Sequence, residues 1–144
     1  MLTMTAHGSN KSKQRISQNR GRCGAAAVEL AVCLPMLCSL VYGTIEMANA
    51  VYLKQSLAVA AYEAANVSAA VGGTSTVALS RANSVLTLLN VNSAIVNISP
   101  SVDQNTTPGT LIVVTCSAPL GSNTATGWIL GNITITTSCT MVHL

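Results

Sequence analysis

GAAAVELAVCLPMLCSLVYGTIEMANA, residues 24–50, decides how the rest of the chain is read. Over residues 25–45 the only charged side chain is Glu29. Such a stretch, wound as a helix, spans roughly 31 Å, about the hydrocarbon thickness of a bilayer. The strictly uncharged piece, residues 30–45, spans roughly 24 Å as a helix. Glu29 and Glu46 are therefore expected near the two interfaces of such a layer, or paired. Tyr42 and Tyr52 suit the outer interface, where amphipathic rings collect. Pro35 lies inside the run. It would cost heavily in a soluble helix and is tolerated in a membrane one.

The charge is divided in the same way. The chain carries a net +3, yet Lys11, Lys13, Arg15, Arg20 and Arg22 all precede Ala25. Beyond that point only Lys54 and Arg81 remain, against Glu29, Glu46, Glu63 and Asp103. A basic head abutting an apolar segment is a topology signal that keeps the head in the cytoplasm. The head has no interleaved aromatics and no nucleic-acid-binding motif, so no nucleic-acid partner is expected. At 49% hydrophobic and 8% charged residues the chain is too apolar for an ordinary soluble domain.

Two readings of the run stay open. In one, it is a retained transmembrane helix. In the other, it is a secretory signal, with a basic lead, a Leu/Val-rich centre and Ala48-Asn49-Ala50 as the cleavage site. The helical pattern continues past Ala50, which favours retention. Leu53, Leu57, Ala60, Ala61, Ala64, Val67 and Ala70 or Val71 recur at three- and four-residue spacing, with Lys54, Gln55, Glu63 and Asn66 largely elsewhere. Gly72-Gly73 ends the pattern. One helix over 25–71 is expected, the alternative being two helices with a break near Gly43 or Ala48.

Residues 74–144 change character, with Ser, Thr and Asn at the polar positions. Ser75 or Thr76 caps a helix that carries Ala78, Ala82, Val85, Leu86 and Leu89 on one side. Strand patterns follow over 94–98, 111–117 and 133–141, the first two joined by the turn signal Asn105-Thr106-Thr107-Pro108-Gly109. Residues 119–130 form a longer connection, with a helical turn expected around Trp128. The predicted fold is α+β: a long N-terminal helix, transmembrane and then amphipathic, followed by a helix on a small antiparallel sheet of about three strands. The expected divisions are a basic leader (1–24), a transmembrane helix (25–50), its amphipathic extension (51–73) and a small extracytoplasmic domain (74–144).

By alternation, Cys116 shares a face with Ile112 and Val114, and Cys139 with Ile135, so both point toward the core. A cross-strand disulfide would stabilise so small a domain by roughly 3 kcal/mol in the chain-entropy model. Two buried thiols acting as small hydrophobes fit the pattern equally. Cys139 and His143 make half a metal site with no second half, so no metal is expected. No phosphate loop, dinucleotide fingerprint or nucleophile elbow is present. The C-terminal region has no carboxylate pair. The chain is therefore not expected to be an enzyme, and neither a cofactor nor a small-molecule substrate is expected.

Residues 24–69 resemble the N-terminal region of the TadE-like family, minor pilins or pseudopilins of the tight-adherence (Flp-type) pilus system. The resemblance rests on Ala27-Val28-Glu29, Leu34-Pro35, Gly43 to Glu46, and Glu63-Ala64-Ala65, in that order. Leu30 stands where the family often has an aromatic, and Cys23 where Arg is usual. The resemblance implies cleavage by a prepilin peptidase between Gly24 and Ala25, making Glu29 the fifth residue of the mature chain. A carboxylate held in the membrane costs about 2.5–3.5 kcal/mol if it behaves like other charged groups at the bilayer centre. The new α-amino group of a neighbouring subunit would offset that cost.

The implied protein is a single-pass subunit of the cytoplasmic (inner) membrane or of a surface pilus. Its implied partners are membrane lipid, other pilin-like subunits, the tight-adherence assembly platform and the prepilin peptidase. The alternatives are a secreted or periplasmic binding domain released after Ala50, and an enzyme or adhesin that borrows only the anchor.

Overall fold

A computed structural model of the chain describes residues 11–124, 127 and 130–144, with side chains from Gly24 onward. The side chains of Lys11, Lys13, Arg15, Arg20 and Arg22, and all of Trp128, lie outside the described residues. The chain divides into two units, 1–42 and 43–144. Helix α1, Lys11–Ala69, contributes to both and runs through Pro35 without a break.

In the first unit, every described residue from Gly24 to Tyr42 is exposed. Val28, Leu30, Val32, Leu34, Met36 and Leu37 are among them, so no single face is singled out for packing. The helix here is held by its own backbone. Ser39 adds a side-chain hydrogen bond to the Met36 carbonyl, the bonding that lets a hydroxyl sit inside an apolar helix.

In the second unit, the same helix buries one stripe. Leu53, Leu57, Ala60, Ala61, Ala64, Ala65 and Ala69 are buried at three- and four-residue spacing. Helix α1 stops at Ala69, so Ala70 and Val71, expected on the stripe, are exposed instead. Gly72 takes φ +74°, the left-handed conformation that ends a helix cheaply only in glycine. The chain's own tail covers the orphan carbonyls of the last turn. His143 places Nδ1 3.0 Å from the Ser68 carbonyl, and the Leu144 N–H donates to Ala69.

Helix α2, Ser75–Leu88, is capped by Thr74, one residue before the nearer of the two expected positions. The extended backbone of Thr74 lets its hydroxyl accept from the Val77 N–H. The Ser75 hydroxyl is used elsewhere, accepting from the Val102 N–H at 2.7 Å. Ala78, Ala82, Val85 and Leu86 face the core as expected, with Leu89 packed at its edge.

Strands β1 (Ile95–Ser99), β2 (Leu111–Pro119) and β3 (Thr134–Val142) form an antiparallel sheet in the order β1-β2-β3. The turn after β1 is closed by two bonds between Asp103 and Thr106, and Gly109 follows at φ +89°. The 119–130 connection holds a 3-10 turn at Leu120–Ser122, and the turn expected around Trp128 lies outside the described residues. Ile112, Val114, Cys116 and Ala118 of the central strand are buried against the helices. Among the described residues the core is built from alanine, valine, leucine and isoleucine with Cys116, and includes no Tyr or Trp ring.

Candidate functional site

The residues singled out by the sequence fall in three places. Gly24, Ala25 and Glu29 lie on the exposed part of helix α1. Gly24 and Glu29 are five positions apart on the helix, roughly 7.5 Å along the axis. A Cβ built on Gly24 would meet nothing within 4 Å, so the surface of helix α1 is uncovered there. Glu29 is exposed, and among the described residues it has no ion-pair partner in its own chain. A carboxylate so placed is available to another molecule.

Cys116 and Cys139 share the inner face of the sheet, as the alternation predicts. The register sets Cys116 opposite Thr137 and Cys139 opposite Val114, so the two are diagonal neighbours two positions apart. Diagonal residues on one face lie about 7–8 Å apart, beyond the usual Cα separation of a disulfide. Both thiols are free here. Burial pushes the Cys116 thiol up to about 11, so it stays protonated and unreactive at neutral pH. His143 is buried against Ser68, at the end of helix α1. Among the described residues, no group of three His, Cys, Asp or Glu is placed to hold a metal ion.

The third place is built around Glu46, which the sequence left either near an interface or paired. Glu46 is only 1% exposed. Its Oε2 accepts the Leu130 N–H at 3.1 Å. One turn on, the Asn49 amide donates to the Thr124 hydroxyl at 3.1 Å. Asn123 binds the other side of the same connection, accepting from the Asn92 N–H and donating to the carbonyls of Asn92 and Pro119. Tyr52 donates to the Leu89 carbonyl at the end of helix α2. Helix α1 therefore fastens the 119–130 connection through polar groups at the start of its packing stripe. The signal was present in the spacing, since 46, 50, 53, 57 and 60 follow one another at three- and four-residue intervals. A charged residue in phase with a core stripe is a buried one.

Nothing in this arrangement assembles a nucleophile, a base and an oxyanion site. It offers a long helix with an exposed, largely apolar run over residues 24–42 and a packed stripe from Leu53 onward. Among the described residues, one helix, Gly24–Ala69, is long and apolar enough to cross a membrane, and its most apolar window is wholly exposed. No curated protein and no solved structure matches the chain. Residues 24–66, which take in both the apolar run and most of the packing stripe, match the family model described as TadE-like protein, in keeping with the resemblance read from the sequence.

Proposed function

We propose that the chain is a structural subunit of the tight-adherence (Flp-type) pilus system, a minor pilin or pseudopilin that performs no catalysis. The apolar part of helix α1 anchors it in the cytoplasmic membrane, and the 43–144 unit lies outside the cytoplasm. The carrying observation is the coincidence of the family match with a helix exposed on all sides over its apolar run. Burying apolar surface is worth roughly 25 cal/mol per Å², so such a helix is costly in water and stable in lipid or against other helices. Its partners are membrane lipid, other pilin-like subunits and the assembly platform.

The leader is removed by a prepilin peptidase between Gly24 and Ala25, where the surface of helix α1 is uncovered. Glu29 then pairs with the α-amino group of a neighbouring subunit. Release after Ala50 is disfavoured by the contacts such a cut would discard. Glu46 and Asn49 would leave with the leader, and Leu130 and Thr124 would lose their partners.

Intact mass and N-terminal sequencing of the protein from purified membranes test the reading. A mature chain beginning at Ala25 is expected. A soluble chain beginning at Val51 would overturn it. Glu29→Ala should insert normally and yield fewer or no surface pili, counted by electron microscopy. Normal piliation in that variant would remove the pairing role.

A further inference from the structure

The 43–144 unit carries few charged side chains: Glu46, Lys54, Glu63, Arg81 and Asp103. Three of these lie away from the end of the unit that adjoins the apolar run. Glu63 and Arg81 pair with each other midway along helices α1 and α2. Asp103 lies in the turn whose neighbour Val102 is bonded to Ser75, at the start of α2. Lys54 comes two turns after Glu46.

The end adjoining the run is assembled from three segments. They are the first turns of α1 in this unit, the last turn of α2, and the 119–130 connection. The bonds from Tyr52 to Leu89, Asn49 to Thr124, and Glu46 to Leu130 bring them together. Its exposed side chains include Met47, Val51 and Tyr52 on α1, and Leu88, 81% exposed, on α2. Around them stand neutral amides and hydroxyls: Asn90, Asn92, Ser122 and Thr124. Of its two charges, the Glu46 carboxylate is turned inward, and Lys54, one turn beyond Val51, is an exposed cation that suits an anionic leaflet.

We infer that this end of the unit is seated on the membrane, with Leu88, Met47 and Val51 at the headgroup–acyl boundary and Tyr52 in the headgroup layer. The inference rests on reading residues 25–45 as the membrane span, and adds a second, separate contact with lipid. Its physical basis is the surface left when Glu46 is withdrawn. Apolar side chains gain by leaving water, while amides, hydroxyls and tyrosine rings suit the interface. An exposed carboxylate at this position would oppose seating on an anionic leaflet. Held by the Leu130 N–H, it does not. Exposed apolar residues also occur at the opposite end, including Val71 and Val77, but they do not adjoin the run. Val77, 58% exposed on the same helix as Leu88, lies roughly 16 Å from it along the axis and so serves as the comparison site.

The test uses the full chain reconstituted into phosphatidylcholine–phosphatidylglycerol vesicles, with and without lipid brominated at the upper acyl chain. Three proteins are compared: the native chain, Leu88→Trp and Val77→Trp. Trp128 is kept, and the emission of the added indole is read as the difference from the native chain. Brominated lipid should extinguish much of that added emission in Leu88→Trp and little of it in Val77→Trp. Equal quenching at the two positions, or none in Leu88→Trp, overturns the seating. Carbonate extraction of the same vesicles separates the two ideas. A chain that is stripped off removes the span as well, whereas a chain that is retained with Leu88→Trp unquenched removes the seating alone.

Discussion

Helix α1 has one backbone and two surfaces. Over residues 24–42 every side chain is exposed, although most are apolar. From Glu46 onward one stripe is buried, and the exposed side admits Lys54, Gln55, Glu63 and Asn66. The difference shows what each part requires. A helix that hides one stripe is matched to a particular neighbour, here the sheet and α2. A helix apolar on every side is matched to a medium, and lipid is the medium that its length fits.

That contrast predicts very different costs for the same substitution. Leu57→Ala removes a fully buried side chain from the stripe and should destabilise the 43–144 unit by about 2–5 kcal/mol. Leu37→Ala, in the exposed run, should leave the melting of that unit unchanged. Thermal unfolding of the full chain in detergent checks both. A large cost at Leu37 would erase the distinction between the halves.

Glu46 marks the boundary between them. Glu46→Ala would leave the Leu130 N–H without its partner, and should cost about 1–3 kcal/mol by denaturant unfolding. Protection of the Leu130 amide from hydrogen exchange should fall with it. If stability and protection both hold, Glu46 belongs functionally to the apolar run instead of to the domain.

Cys116 tests how dry the packed half is. Its thiol is raised from an ordinary 9.0 to about 11, so the unfolded chain releases this proton first. The protonated thiol's contribution is fully present below pH 9 and is lost as pH rises toward 11. Cys116→Ala should flatten the alkaline arm of the stability profile. In the native chain, alkylation should reach exposed Cys33 and Cys38 well before Cys116 when the protein is in mild detergent. The smallest effect belongs to the surface. Arg81 bonds the Glu63 carboxylate through Nε and an η nitrogen at 3.0–3.1 Å, yet both side chains remain partly in water. Arg81→Ala should cost about 1 kcal/mol or less, and the cost should shrink further in high salt.

The residues by themselves determined whatever has a local period or a local stop. The apolar length, the stripe from Leu53 to Ala64, the Gly72 terminator and the alternation of β2 and β3 repeat every two or 3.6 residues. A period can be read without knowing the partner. The tertiary structure alone decided the matters that depend on two distant segments meeting. The Cys116–Cys139 offset comes from strand register, which two separate strands set jointly. The cap fell on Thr74 because the exit from Gly72-Gly73 left that residue extended. The tail came to cap helix α1 because β3 returns to its end. Glu46 is the sharpest case. Its place in the stripe was legible, but its carboxylate becomes tolerable inside the protein only when a backbone N–H 84 residues away arrives to bond it.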